Sequence, residues 1–241
     1  MKSVIGGVGD FLQVVDSATL EGQIRVYTHQ SCGEDFFQDL HINAEVVTFD
    51  SLDELNSDYR LTHDTPLDRQ IFQVFQLPER SRQIIDNFKK EKEKLIGIHP
   101  VGSKFSNKHW GDQSMPIKKM PVNFVKGIIE SNDDNEYIIF GTENELEEYK
   151  SQINARYIDY PLIWDSLAHV MLCDQVIAVD SAIKTMASVK RIPSVVLVGD
   201  YEDEFRDGTF IEPYESQGIL TKIKYNNLGE EHLEQVKSMM V

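Results

Sequence analysis

The chain has 241 residues, 41% of them hydrophobic and 27% charged, enough to bury a sizeable core as one large domain or two small ones. Its formal net charge of −16 excludes a nucleic-acid backbone or an anionic lipid surface as the main partner, because both are polyanions. No apolar run approaches the roughly 18 residues of a membrane span, and the opening MKSVIGGVGDFL lacks a cleavage-like small-residue site; neither a transmembrane segment nor a signal peptide is expected, which points to the cytoplasm.

A first strand is expected at residues 3–5, followed by the turn Gly6, Gly7, Val8, Gly9, Asp10 and the helical pattern FLQVVDSATL. Glycines between a strand and a helix signal a tight turn or close backbone approach to a ligand. They do not make a dinucleotide fingerprint: the third glycine is missing, and the next strand, 23–28, ends in His29 and Gln30 where an acid would hold a ribose. A helix at 34–40, a strand at 44–49, a loop over 50–66 and a helix at 67–75 continue the alternation expected of a parallel sheet with helices on its faces. After Pro78, ERSRQIIDNFKKEKEK reads as a charged linker helix that ends the first half near residue 93.

The second half restarts with the buried-strand run LIGIHP and the polar, basic loop VGSKFSNKHWG. Pro121 suits the first position of a helix over VNFVKGIIESN. Strands at 137–140 and 157–159 and helices over ELEEYKSQI and residues 162–171 follow. Residues 174–200 then read as strand (176–179), acidic turn, helix and strand (195–198), and residues 230–240 as an amphipathic C-terminal helix. Asp180 and Ser181 stand at the end of a strand expected to be buried on both faces. They can cap the next helix and leave its first N–H groups for a ligand. Ligands of open parallel sheets bind beyond the carboxyl ends of the strands, so this turn is the first candidate site. Cys32 and Cys173 match no metal spacing, and Cys173, in HVMLC, reads as a small core residue.

The runs IGIHPVGSKFSNKHW, FGTENE and AVDSAIKTMASVKRIPSVVLVGD resemble, in order and spacing, the donor domain of the heptosyltransferase family, inverting glycosyltransferases that use ADP-heptose and related sugar nucleotides. The opening Gly-Val-Gly-Asp turn looks like that family's first loop. The resemblance implies an α/β, GT-B-like fold: two Rossmann-like parallel-sheet domains with a cleft between them, a reduced N-terminal domain over 1–93 and a nucleotide-sugar-binding domain over 94–241. It implies that Asp10 is the catalytic base. Ser103, Lys108, Gly141, Glu143, Asp180, Ser181 and Ala182 would bind the donor, with Lys108 on the diphosphate and Glu143 near the nucleoside. No cofactor and no metal ion are expected, the donor being a nucleotide-diphosphate sugar such as ADP-heptose, and the acceptor a glycan or a lipid-linked glycan met at the inner membrane face. Asp133 and Asp134 form the one adjacent acidic pair considered for a metal, and they read as a solvated turn.

Two departures stand within the most family-like stretch. Ala182 replaces a glycine and Thr185 a histidine of the family pattern, which motivates a second reading as a non-catalytic nucleotide or nucleotide-sugar binding protein. Plainer roles stay open beside the functional ones: Asp180 as a helix cap, Lys108 as a solvated lysine, Asp10 as a turn residue, His99 as a satisfied structural histidine, Trp110 as loop packing and the acidic run 201–207 as a solvated face.

Overall fold

The computed structural model describes residues 2–5, 24–29, 44–49, 79–102, 118–159, 163–199 and 212–240, the first three segments by their backbone pairing. The helices expected at 34–40 and 67–75, the loop at 50–66, Cys32, Trp110 and the acidic run at 201–207 lie outside the described residues.

Strands β1 (Lys2–Ile5), β2 (Ile24–His29) and β3 (Ala44–Phe49) form a parallel three-stranded sheet in the order β1-β2-β3. A second parallel sheet has six strands: β4 (Lys94–His99), β5 (Asn135–Gly141), β6 (Arg156–Asp159), β7 (Gln175–Val179), β8 (Ser194–Gly199) and β9 (Leu220–Tyr225). Its order is β6-β5-β4-β7-β8-β9, so β4 lies centrally and the winding reverses between β4 and β7.

Seven helices accompany these strands among the described residues: α1 (Glu79–Asn87), α2 (Val122–Ile129), α3 (Glu143–Lys150), α4 (Ile163–Leu172), α5 (Ala182–Val189), the single turn α6 (Glu212–Glu215) and α7 (Glu230–Ser238). The central strands LIGI, YIIF, VIAV and VVLV are apolar at successive positions because side chains alternate between two faces and both faces are covered. On one face Ile96, Ile98, Ile139, Ile177, Val179 and Leu197 pack against α2, α3 and α7. Each such fully buried aliphatic side chain contributes about 1.5–3 kcal/mol. On the other face Gly97 is needed because a Cβ there would meet the Phe140 side chain of β5 at 2.7 Å and Cys173 Sγ, just past the end of α4, at 2.9 Å. Cys173 is a buried free thiol, as its apolar neighbourhood predicts, and burial pushes its pKa up.

The strand expectations in this half hold to within a residue or two. Two elements went unread, β9 and α6. Strand β9, LTKIKY, is an edge strand in which Leu220, Ile223 and Tyr225 are buried while Thr221 and Lys224 face water. It therefore lacks the continuous apolar run that marks its neighbours, and edge lysines discourage further strand pairing. Pro121 is the N-cap of α2 rather than its first helical residue. The segment read as a linker helix is docked: Arg80 donates to Asp165 Oδ2 of α4 at 2.6 Å, Lys90 to Asp174 at 2.7 Å, and Arg156 lies over the Phe88 ring at 4.7 Å.

Candidate functional site

The reversal between β4 and β7 puts two chain ends side by side on the carboxyl edge of the sheet, which is where open α/β sheets form ligand crevices. Strand β4 delivers His99 to this edge and β7 delivers Asp180 and Ser181.

Ser181 links the two ends. Its backbone is extended, with φ −162° and ψ 172°, and it is the N-cap of α5: its Oγ accepts from the Lys184 N–H at 3.5 Å. The same Oγ shares a 2.8 Å hydrogen bond with His99 Nδ1. His99 is 8% exposed, and burial pushes its pKa down from 6.5 to about 4, so the imidazole is neutral across the physiological range. This fits the satisfied structural histidine among the two roles weighed for it. The capping position belongs to Ser181, so Asp180 is released from the simple N-cap role considered for it.

Asp180 instead anchors a buried charge cluster. Its Oδ1 meets Lys184 Nζ at 2.9 Å, one turn along α5, and its Oδ2 meets Lys118 Nζ at 2.7 Å. The three side chains are 11%, 1% and 12% exposed respectively. Burial pushes the Asp180 carboxyl up, but the Lys184 and Lys118 ammonium groups outweigh it and hold the carboxyl far below the usual carboxylate range. Asp180 is therefore a carboxylate at any working pH.

Lys118 reaches this place through a short antiparallel bridge between Val101 and Lys119. Gly102 N donates to Lys118 O at 2.7 Å and Met120 N to Pro100 O at 2.8 Å, pinning the chain where it leaves β4 and where it returns. Glycine is required at 102 because a Cβ would lie 2.8 Å from Lys118 Cβ and 3.3 Å from the Asp180 carbonyl oxygen. The missing side chain gives the lysine stem room to lie along the bridge toward Asp180.

Of the residues named from sequence, Asp180, Ser181 and Ala182 are consecutive at the head of α5. Gly141 closes β5, beside β4 in the same parallel sheet, and Glu143 is the exposed first residue of α3, where Thr142 and Glu145 form a capping box. Asp10, Ser103 and Lys108 lie outside the described residues. Thr185 is 2% exposed and its Oγ1 donates to the Ser181 carbonyl at 3.4 Å, so its hydroxyl serves the helix. Asp133 and Asp134 are exposed in a turn, as read. Sequence reasoning missed Lys118 and Lys184. The second carried a signal: a lysine inside the apolar AIKTMASV, four residues after an aspartate, is placed to pair with it on one helix face.

No family profile and no curated protein matches the sequence. Solved structures do match. ADP-heptose LPS heptosyltransferase II of E. coli aligns over 99% of this chain and 97% of its own, at 14% identity and a TM-score of 0.61. A family 9 glycosyl transferase from Veillonella parvula aligns over 99% of this chain and 89% of its own, at 15% identity and a TM-score of 0.57. Over nearly its whole length the chain therefore has the α/β, GT-B-like fold of these heptosyltransferase-like structures, with the Asp180 cluster at the topological switch of its six-stranded sheet.

Proposed function

We propose that the protein is a glycosyltransferase that moves a heptose or similar sugar from a nucleotide-diphosphate donor to a glycan or lipid-linked acceptor, with inversion and without a metal ion. The observation that carries this reading is the Asp180 cluster at the carboxyl edge, where β4 and β7 part in a fold shared with two glycosyltransferases. In this reading the donor diphosphate lies against the head of α5. Ammonium groups and free helix N–H groups there stabilise the negative charge that grows on the leaving diphosphate. Lys108, Ser103, Gly141, Glu143, Ser181 and Ala182 complete the donor contacts. Asp10 accepts the acceptor hydroxyl's proton as that oxygen attacks the anomeric carbon, and attack opposite the departing diphosphate inverts the centre. Among the described residues no helix is long and apolar enough to cross a membrane. In this reading a lipid-linked acceptor would be met from the cytoplasmic side.

The experiment is incubation of the full chain with ADP-, GDP- and UDP-sugars, ADP-heptose included, and candidate acceptors, following nucleoside diphosphate release and sugar transfer. Turnover is expected in wild type. Asp10→Asn is expected to lower it about a hundredfold or more while leaving donor affinity within a few-fold. Undiminished turnover in Asp10→Asn overturns the base assignment.

A second reading, a binding protein that holds a nucleotide sugar without transferring it, is favoured by Ala182 at the helix head and by the inward-turned Thr185 hydroxyl. Donor binding with neither transfer nor hydrolysis selects it.

A further inference from the structure

The C-terminal helix α7 begins with a cap that depends on one proton. Gly229 is its N-cap residue and has no side chain to offer the orphan N–H groups of the first turn. The bond is made in the reverse sense: His232, at the third helical position, accepts the Gly229 N–H at Nδ1, at 3.2 Å. Glutamate or glutamine ordinarily stands at this position of a capping box, because the side chain there must accept. Histidine accepts only while Nδ1 carries no proton, so the bond fixes a neutral ring with its hydrogen on Nε2.

A second partner lies close to the same atom. Glu231 Oε1 is 3.8 Å from His232 Nδ1. A proton on Nδ1 turns that nitrogen from acceptor to donor: it can no longer take the Gly229 N–H, and it can bond to the Glu231 carboxylate. The remaining charged groups on the elements around the ring are few. On α7, Glu230 shares the exposed first turn, and Glu234 pairs with Lys237 at 2.7 Å. On α2, Lys126 and Glu130 pair with each other at 3.6 Å. On β9, Lys224 is exposed and Tyr225 meets the imidazole edge-on, with ring centroids 6.5 Å apart.

The balance of these effects favours a looser helix. Glu231 is 79% exposed, so its attraction for an imidazolium is screened by water. Against it stand the lost cap and a new positive charge at the end of α7 where the helix dipole is already positive. The cap also guards the entrance of a docked element. Gly229 carries the chain from β9 into α7, and a Cβ there would meet open space. Beside His232, Leu233 lies so close to α2 that a Cβ on Gly127 would meet its Cδ2 at 2.6 Å. Farther along, Val236 is fully buried and Gln175 Nε2 donates to the Met239 carbonyl at 2.8 Å. The far end of α7 is thus held by the core, whereas its near end is held by Leu233 and the His232 cap.

We propose that His232 is a proton-operated latch: protonation moves Nδ1 from the Gly229 amide to the Glu231 carboxylate and loosens the near end of α7 from α2 and β9. It makes the C-terminal helix a local, reversible sensor of acidification, separate from the site at the carboxyl edge.

The test is amide hydrogen exchange of the full chain at pH 7.5 and 5.5, across the range in which histidines change charge, with rates corrected for the intrinsic pH dependence of exchange. In wild type the amides of Gly229 and Leu233 to Val236 are expected to open about fivefold more at pH 5.5, the loss of one cap of about 1 kcal/mol. Amides of β4 and β7 are expected to change less. His232→Gln keeps an acceptor at the capping position and takes no proton, so its α7 is expected to open equally at both pH values. If that variant does not fold, His232→Glu carries the comparison.

Equal opening of α7 at both pH values in wild type overturns the proposal, as does an undiminished response in the folded variant. A response of α7 no larger than that of β4 and β7 also overturns it, because it marks a global loss of stability. A response that is confined to α7 and absent from His232→Gln supports it. So does a nitrogen-15 shift showing a proton arriving at His232 Nδ1 over the same range, and its absence sinks the idea.

Discussion

His99 shows how one buried side chain ties the site to the acid limit of the fold. Its native pKa is about 4 against 6.5 for the free imidazole, so between those values the unfolded chain binds a proton that the native chain refuses. Above pH 6.5 neither state is protonated there and His99 exacts no penalty. As pH falls through the window the unfolded state gains, and the loss of stability is complete near pH 4, at about 3 kcal/mol for a shift of this size. Urea unfolding of wild type and His99→Gln between pH 7.5 and 4 should show a shallower decline in the variant. Equal slopes would mean that His99 is not held neutral.

At the scale of elements, α1 is held to the six-stranded half by side chains far apart in sequence. Arg80 is 60% exposed, but its partner Asp165 is 9% exposed, so removing the arginine strands a mostly buried carboxylate. Arg80→Ala is expected to cost about 1–3 kcal/mol, and Asp165→Ala in the same background to restore part of it. A double-mutant cycle in denaturant checks this, and strict additivity would show that the pair does not hold the helix. This docking was not legible in ERSRQIIDN, whose charge suggests a solvated helix, because the groups it packs against, Asp165 among them, lie in an element far along the chain. The central strands were legible because burial on both faces writes itself as an unbroken apolar run, and β9 was not because the exposed Thr221 and Lys224 interrupt its apolar residues. Within the site, Asp180 and Ser181 could be read from the strand-turn-helix pattern, and Lys184 from its spacing to Asp180. Lys118 could not be read at all: its place depends on where the chain returns after residue 117, which no local pattern records.

For the whole molecule, the net charge of −16 sets the background against which the buried lysines act. Like charges on the surface repel one another across the compact state more than across the expanded one. Raising the salt from ~10 to ~150 mM shortens the screening length from about 30 to about 8 Å and should raise the melting temperature by a few degrees. A falling melting temperature would show instead that the ion pairs, Lys118–Asp180–Lys184 and Arg80–Asp165 among them, dominate the response to screening. The bridge between Val101 and Lys119 has a consequence for chain length. Gly102 N–H and Met120 N–H hold residues 100–102 and 118–120 to one another at the carboxyl end of β4, so the sheet is anchored on both sides of the connection. Doubling the length of a flexible connection adds only about 0.6 kcal/mol of closure entropy. An insertion between the two stitched segments should therefore cost the six-stranded sheet little stability.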